Sequence, residues 1–174
     1  MVIFHFYKII KGYLSKIKQY YFTAIVRYKA AKCSGKILVI NRSSVTTNTY
    51  LGNNVNFQGM LITGKGKVVI GDNFHSGKGC IIMSHYHNYD HGAKIPYDDT
   101  YIIKDVIIED NVWLGLNVTL LPGITLGEGS IIQAGSIVVS NIPSLAIAGG
   151  HPAKVFKYRD KEHYYRLKEE NRFH

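Results

Sequence analysis

Ile102, Ile108, Leu114, Leu120, Leu126, Ile132 and Val138 stand six residues apart, and each is Ile, Leu or Val. Four residues after each comes a smaller or branched residue: Val106, Val112, Val118, Ile124, Ser130, Ser136 and Ile142. A helix repeats its apolar face every 3.6 residues and a half-buried strand every two, so neither accounts for a period of six. The period fits a chain in which each hexad makes one short strand and one corner. Three hexads then close a triangular coil of about 18 residues, and successive coils stack in parallel. The residue that starts each hexad points inward, and Gly or Asn serves corners that need a positive φ.

The same frame extends upstream with slips. Val39, Val45, Leu51 and Phe57 are six apart, with Ser43, Thr49, Val55 and Leu61 at the +4 positions. Ile70, Ser76 and Ile82 continue it, with Phe74, Cys80 and Tyr86 at +4. The thirteen residues from Phe57 to Ile70 imply one extra residue at a corner. The twenty from Ile82 to Ile102 imply an extruded loop of fourteen residues, about 88–101, if Ile102 starts the next wall strand. This pattern specifies an all-β solenoid, a parallel β-helix of hexapeptide repeats, over residues 37–157. A long loop on such a scaffold is where chemistry is expected.

The two ends differ from the middle. Residues 1–36 form a basic segment. Within it, Ile3, Phe6, Ile10, Leu14, Ile17, Tyr21, Ile25 and Tyr28 make an apolar stripe at helical spacing. This predicts an amphipathic helix, or a pair broken near Gly12, that caps the open end of the solenoid or lies on an anionic membrane. Residues 158–174 predict a short charged helix or tail with a solvated face.

Charge is distributed unevenly along the 174 residues. The first 71 carry eleven Lys and Arg and no acid, and all twelve Asp and Glu residues lie at or after Asp72. An acid-free front suggests an anionic partner, either a membrane surface or an acidic polymer. No nucleic-acid-binding motif accompanies the charge, so nucleic acid is not expected as a partner. Lysines interrupt the apolar N-terminus every few residues, which excludes a membrane-spanning helix there and disfavours a secretory signal. A cytoplasmic location follows as an expectation, with peripheral contact at the inner face of the plasma membrane through residues 1–36. Cys33 and Cys80 are the two cysteines, and neither belongs to a CxxC pair.

Met83-Ser84-His85-Tyr86-His87-Asn88-Tyr89-Asp90-His91, just before the loop, concentrates three histidines and an aspartate. A neutral imidazole can take a proton from a hydroxyl near neutral pH. His87 ends the frame where the loop departs. His85 is an alternative base, Asp90 could orient either ring, and Tyr86 lies between them as a candidate acceptor contact. The cluster could also be structural or ligate a metal, although no metal is expected. There is no GxSxG motif for a serine nucleophile, so direct transfer is favoured over an acyl-enzyme.

The run from Ile108 through Trp113, Leu114-Gly115 and Pro122-Gly123 to Ala134-Gly135-Ser136, followed by Gly149-Gly150-His151-Pro152-Ala153-Lys154-Val155-Phe156-Lys157, resembles the left-handed β-helix acyltransferases. Within them it is similar to the galactoside/maltose O-acetyltransferase branch and its relatives that acetylate bacterial capsule, lipopolysaccharide or sialic-acid polymers. The resemblance covers about residues 37–158. It implies a left-handed coil and a homotrimer, with acetyl-CoA bound in clefts between neighbouring prisms and a sugar or polysaccharide acceptor. It implies that His87 is the general base and that Trp113 lines the active cleft. Ala134, Gly135 and Ser136 would then line the pantetheine arm, with Lys154 and Lys157 near the CoA phosphates. Gln58 falls where the galactoside enzymes carry an acceptor-binding Asn, so the acceptor sugar differs or is held differently. N-acetylation of an amino sugar, acetylation of a xenobiotic, a metal-dependent carbonic-anhydrase-like enzyme and a non-enzymatic binding solenoid are the competing expectations.

Overall fold

The computed structural model describes residues 2–174, with side chains at Tyr7 and from Ile10 onward. It is a left-handed parallel β-helix with a long N-terminal helix and a short C-terminal one. Three walls of short parallel strands enclose the core. The first wall includes Thr49–Leu51, Val68–Ile70, Val106–Ile108 and Thr125–Leu126. The second runs from Ile37–Val39 through Val55–Phe57, His75–Ser76, Trp113–Leu114 and Ile131–Ile132 to Ala146–Gly150. There the antiparallel strand Ala153–Tyr158 closes it. The third holds Met60–Thr63, Cys80–Met83, Thr119–Leu120 and Ile137–Val138.

Register follows the hexads. Ile107 pairs with Thr125, Trp113 with Ile131 and Thr119 with Ile137, each eighteen residues on. Ile108, Leu114, Leu120, Leu126, Ile132 and Val138 are all buried, and so are the +4 residues from Val106 to Ile142. Each large aliphatic side chain so placed contributes roughly 1.5–3 kcal/mol of burial, which makes the stacked ladder the main stabilising element. The corner between the first and second walls is built from Asn54, Asn73 and Asn111, with φ of 57°, 54° and 61°. Their amides form a ladder: Asn54 Nδ2 donates to Asn73 Oδ1, and Asn73 Nδ2 to Asn111 Oδ1, both at 3.0 Å. Asparagine is suited to this corner because it tolerates the left-handed conformation and its amide can bond to the coils above and below.

Two expectations need correction. Leu61 is 44% exposed, and Met60 and Ile62 are buried in its place. The coil is therefore shortened by one residue after Phe57 and lengthened by two before Ile70, at the Gly64-Lys65-Gly66 turn. Ile102 is not a wall residue: Tyr101–Ile103 pairs antiparallel with His85–His87. Val69 pairs with Ile107, 38 residues on, instead of the usual 18, so the excursion is twenty residues long and begins at His85. The extruded segment satisfies its own backbone by folding on itself, which the hexad spacing of Ile102 does not reveal. Of the two arrangements expected for the N-terminal segment the single helix is the one found: Val2–Lys29 (α1) runs through Gly12 without a break.

α1 caps the prism through a face other than the anticipated stripe. Val26 is fully buried, Phe22 and Ala30 pack on the core, and Val39 N donates to Thr23 Oγ1 at 3.1 Å. The described stripe residues Ile10, Leu14, Ile17, Tyr21, Ile25 and Tyr28 are exposed. Lys32–Cys33 pairs with Thr49–Leu51, so the first wall begins before residue 37.

The C-terminal helix Lys161–Glu169 (α2) docks rather than fraying. Its Tyr164 is buried over Gly129, where a Cβ would lie 2.8 Å from the tyrosine ring. Tyr164 Oη donates to Glu128 at 2.8 Å and accepts from Asn111 Nδ2 at 2.9 Å, and Lys168 forms an ion pair with Glu128. Burial pushes the Glu128 carboxyl up, but hydrogen bonds from Lys168, Tyr164 and Asn111 and the charge of Lys168 together hold it below its ordinary value of 4.5. A lowered folded-state value means that the ionised form stabilises docking above the ordinary value. The contribution is lost as pH falls through the folded-state value. Glu128→Gln should cost about 1 kcal/mol at neutral pH and less under acid. Thermal unfolding of the two proteins between pH 7 and 3 should therefore converge.

Candidate active site

The twenty-residue excursion leaves the prism at the edge between the third and first walls, from Ser84. Ser84 N donates to Thr63 O, and Lys104 N donates back to Ser84 O as the chain returns. Between these points His85–His87 and Tyr101–Ile103 make a short antiparallel ladder with Tyr101 opposite His87. Strand alternation puts His85 and His87 on one face and Tyr86 on the other. Tyr86 instead lies near Tyr89, with ring centroids 5.9 Å apart, and below Lys104 Nζ at 5.6 Å.

On the histidine face the rings are stacked. Tyr97 stacks on His87 at 3.8 Å, and Tyr101 lies 4.6 Å from His85 and 4.8 Å from His87. Lys65, from the lengthened turn, holds its ammonium 3.9 Å from the centre of the Tyr101 ring. Both histidines are half-buried, and Nδ1 of each is buried without a hydrogen-bond partner. Proton exchange at either ring is therefore directed to Nε2. Burial lowers the His85 pKa below 6.5, and the charges of Lys65 and His87 lower it further. The His85 imidazole is thus held neutral at physiological pH.

Asp90 is exposed and orients neither histidine ring among the described hydrogen bonds. The loop's organising carboxylate is Asp98. It accepts from Ala93 N at 2.6 Å and from Thr100 N at 2.8 Å, and also from the Thr100 hydroxyl. These bonds, the Thr100 hydroxyl foremost, lower its pKa. His91 is exposed and outside the ring cluster. No three His, Cys, Asp or Glu side chains gather into a metal-binding set among the described residues.

Other candidates occupy the second wall, which the hairpin edge does not border. Trp113 projects outward, 54% exposed. Outward neighbours on successive strands are Asn56, His75, Trp113, Ile131, Ile147 and Lys157. From the indole to Lys157 is three strand spacings, about 14 Å, with Ile131 and Ile147 forming an apolar floor. An extended chain with a phosphate at one end and a reactive carbonyl at the other could lie along this strip. Lys154, paired opposite Gly149, is exposed on the same closing strand. Ala134 and Gly135 are exposed at the next corner. Ser136 is buried, and its hydroxyl accepts from Gly150 N at 3.1 Å, so its side chain is structural. Gln58 is half-buried at the end of Val55–Phe57.

One prism therefore brings His85 and His87 together with Tyr97, Tyr101 and Lys65. Trp113, Lys154 and Lys157 stand on a different wall. Tyr97, Tyr101 and Lys65 escaped the sequence reading. The pairing of His87 with Tyr101 links residues fourteen apart through an irregular loop, and Lys65 comes from an earlier coil.

A sequence profile for the hexapeptide repeat of succinyl-transferase matches residues 105–140. The galactoside O-acetyltransferase of Escherichia coli strain K12 is 42% identical over 64 residues, 35% of this chain and 32% of that protein. Among solved structures, a galactoside acetyltransferase in complex with coenzyme A superposes with TM-score 0.71 at 26% identity. That match covers 81% of this chain and 71% of the other. A maltose O-acetyltransferase from Clostridium difficile 630 gives TM-score 0.65 at 26% identity, covering 85% and 89%. The chain spans 27% to 56% of the length of the first curated relatives it matches.

Loss of the Lys65 charge should raise the His85 pKa while leaving it below 6.5, because burial, the larger cause, remains. Histidine Cε1 proton resonances followed by NMR against pH in wild type and Lys65→Met would show this. A His85 titration unmoved by the substitution would place Lys65 away from the ring cluster in solution.

Proposed function

We propose that this chain is a hexapeptide-repeat acetyltransferase like the galactoside and maltose enzymes it resembles, and that it moves an acetyl group from acetyl-CoA to a sugar hydroxyl, with His87 as general base. The observation that carries this is the His87 ring: half-buried, stacked on Tyr97 and tilted against Tyr101 on a self-paired hairpin, with Nδ1 buried and unpartnered, which makes Nε2 the nitrogen to meet an acceptor. His87 Nε2 removes the hydroxyl proton as the oxygen attacks the thioester carbonyl. The C–S bond then breaks, the acetyl ester forms, and the departing CoA thiolate takes the proton back from the imidazolium. The face of Tyr97 turned away from His87 suits the apolar face of a sugar ring.

The strip from Trp113 to Lys157 is the counterpart for the donor. Its apolar floor suits the pantetheine arm, and Lys154 and Lys157 supply ammonium groups for phosphates. The coenzyme A bound to the galactoside acetyltransferase supports this ligand class. Because the hairpin edge and the second wall are separate on one prism, a complete site needs two copies. Any closed ring of copies satisfies such pairings, and a homotrimer is the state proposed. The galactoside and maltose O-acetyltransferase relatives support a sugar acceptor, and a bacterial surface polysaccharide or its lipid-linked precursor is the acceptor class proposed. Use of acetyl-CoA accords with action on the cytoplasmic side.

His87→Ala should reduce turnover by roughly 10²–10⁴-fold while calorimetry shows acetyl-CoA binding little changed. His85→Ala should retain most of the rate. The reverse pattern would make His85 the base. An alkali-labile acetyl on a glycan product, seen by mass spectrometry, would identify an ester; an alkali-stable one would identify N-acetylation.

A further inference from the structure

With Phe22, Thr23 and Val26 turned onto the prism, the opposite side of α1 carries nothing packed upon it among the described residues. Tyr13, Leu14, Ile17, Tyr20, Tyr21 and Tyr28 are 53–95% exposed there. At 100° per residue these six fall within an arc of about 120° on the helix. Lys11, Lys18 and Lys29 line one border of that arc, and Lys16 and Arg27 line the other. All five are exposed. Arg42 and Lys78, at the groove where α1 crosses the prism beside Lys18, add charge to the same end of the molecule.

The occupant must cover an apolar stripe and also neutralise two basic borders. A second copy of α1 offers the first without the second, because no acid precedes Asp72. Pairing two such helices would place like charges along both borders. An anionic bilayer surface offers both: acyl chains for Leu14 and Ile17, and phosphate headgroups for the lysines. The tyrosines suit the boundary between them, where a ring can be buried while its hydroxyl stays wet. No described helix is long and apolar enough to cross a membrane, so α1 would lie in the plane of the surface.

We propose that α1 is a two-sided element, with its Phe22–Val26 side sealing the first coil and its Tyr13–Tyr28 stripe lying in the headgroup region of an anionic membrane. The prism then stands on the bilayer by its N-terminal end.

The full-length protein would be sedimented with phosphatidylcholine vesicles, with or without one part in four of phosphatidylglycerol, in low and high salt. Binding should require phosphatidylglycerol and weaken in high salt. Two variant pairs at exposed positions separate the occupants: Leu14→Ser with Ile17→Ser, and Lys11→Gln with Lys18→Gln. Each pair should weaken partitioning about tenfold or more, with the melting temperature and the mass by light scattering unchanged. Wild type that fails to bind phosphatidylglycerol vesicles overturns the proposal. Binding lost in the lysine pair but retained in the apolar pair also overturns it, since the surface would then serve an acidic glycan. A fall in oligomeric mass in the apolar pair overturns it too, because the stripe would be a subunit contact.

Discussion

Every other feature of this protein depends on stacked coils keeping a common register. A parallel strand of two or three residues is too short to stand alone; each is held by the strand above, the strand below and the side chain it sends inward. The eighteen-residue advance aligns Leu114 with Ile132, and Leu120 with Val138. An insertion can therefore be accommodated only at a corner. A single residue added within a wall strand would turn the inward residues after it outward. The twenty-residue hairpin obeys this rule: coils before and after it pair as though it were absent, with Ile81 opposite Thr119 and His75 opposite Trp113. A rigid scaffold thereby presents a segment free to differ.

The same constraint explains which parts of the fold were legible from residues alone. From Ile108 to Val138 the inward requirement recurs with nothing else competing, so period and burial coincide. At Leu61 the frame fails because two irregularities of opposite sign nearly cancel, leaving a net count that looks like one extra residue. At Ile102 it fails because a hexad-spaced isoleucine also suits a hairpin arm, and only the pairing with Tyr86 decides between them. The stripe on α1 was visible, but an apolar stripe is the same pattern whether it faces a core or a bilayer. Which face meets the prism was decided by Phe22 and Val26, off the stripe.

The site divides in a similar way. Histidine at 85 and 87 is apparent from residue type, and alternation on a strand puts both rings on one face. Their partners were not apparent. Asp90 is near in sequence, but the chain turns it into solvent, and Asp98 does the work of shaping the loop through Ala93 and Thr100. Tyr97 and Tyr101 approach only once the hairpin has closed. Lys65 sits on a turn whose lengthening was itself hidden in the miscounted coil. Local chemistry is readable where the backbone is regular; contacts made across an irregular loop depend on the closed shape.

Charge along the chain becomes charge along an axis. α1 packs on Ile37–Val39, the first strand of the second wall, and Lys157 lies on Ala153–Tyr158, the last. Six strand spacings separate them, about 29 Å, which is several Debye lengths at physiological salt. The acid-free front and the Lys154 and Lys157 pair proposed for phosphates are therefore independent fields and do not form one continuous basic surface. An anionic surface held at the first coil would leave the far end open to a soluble donor, with the His87 hairpin emerging between the two.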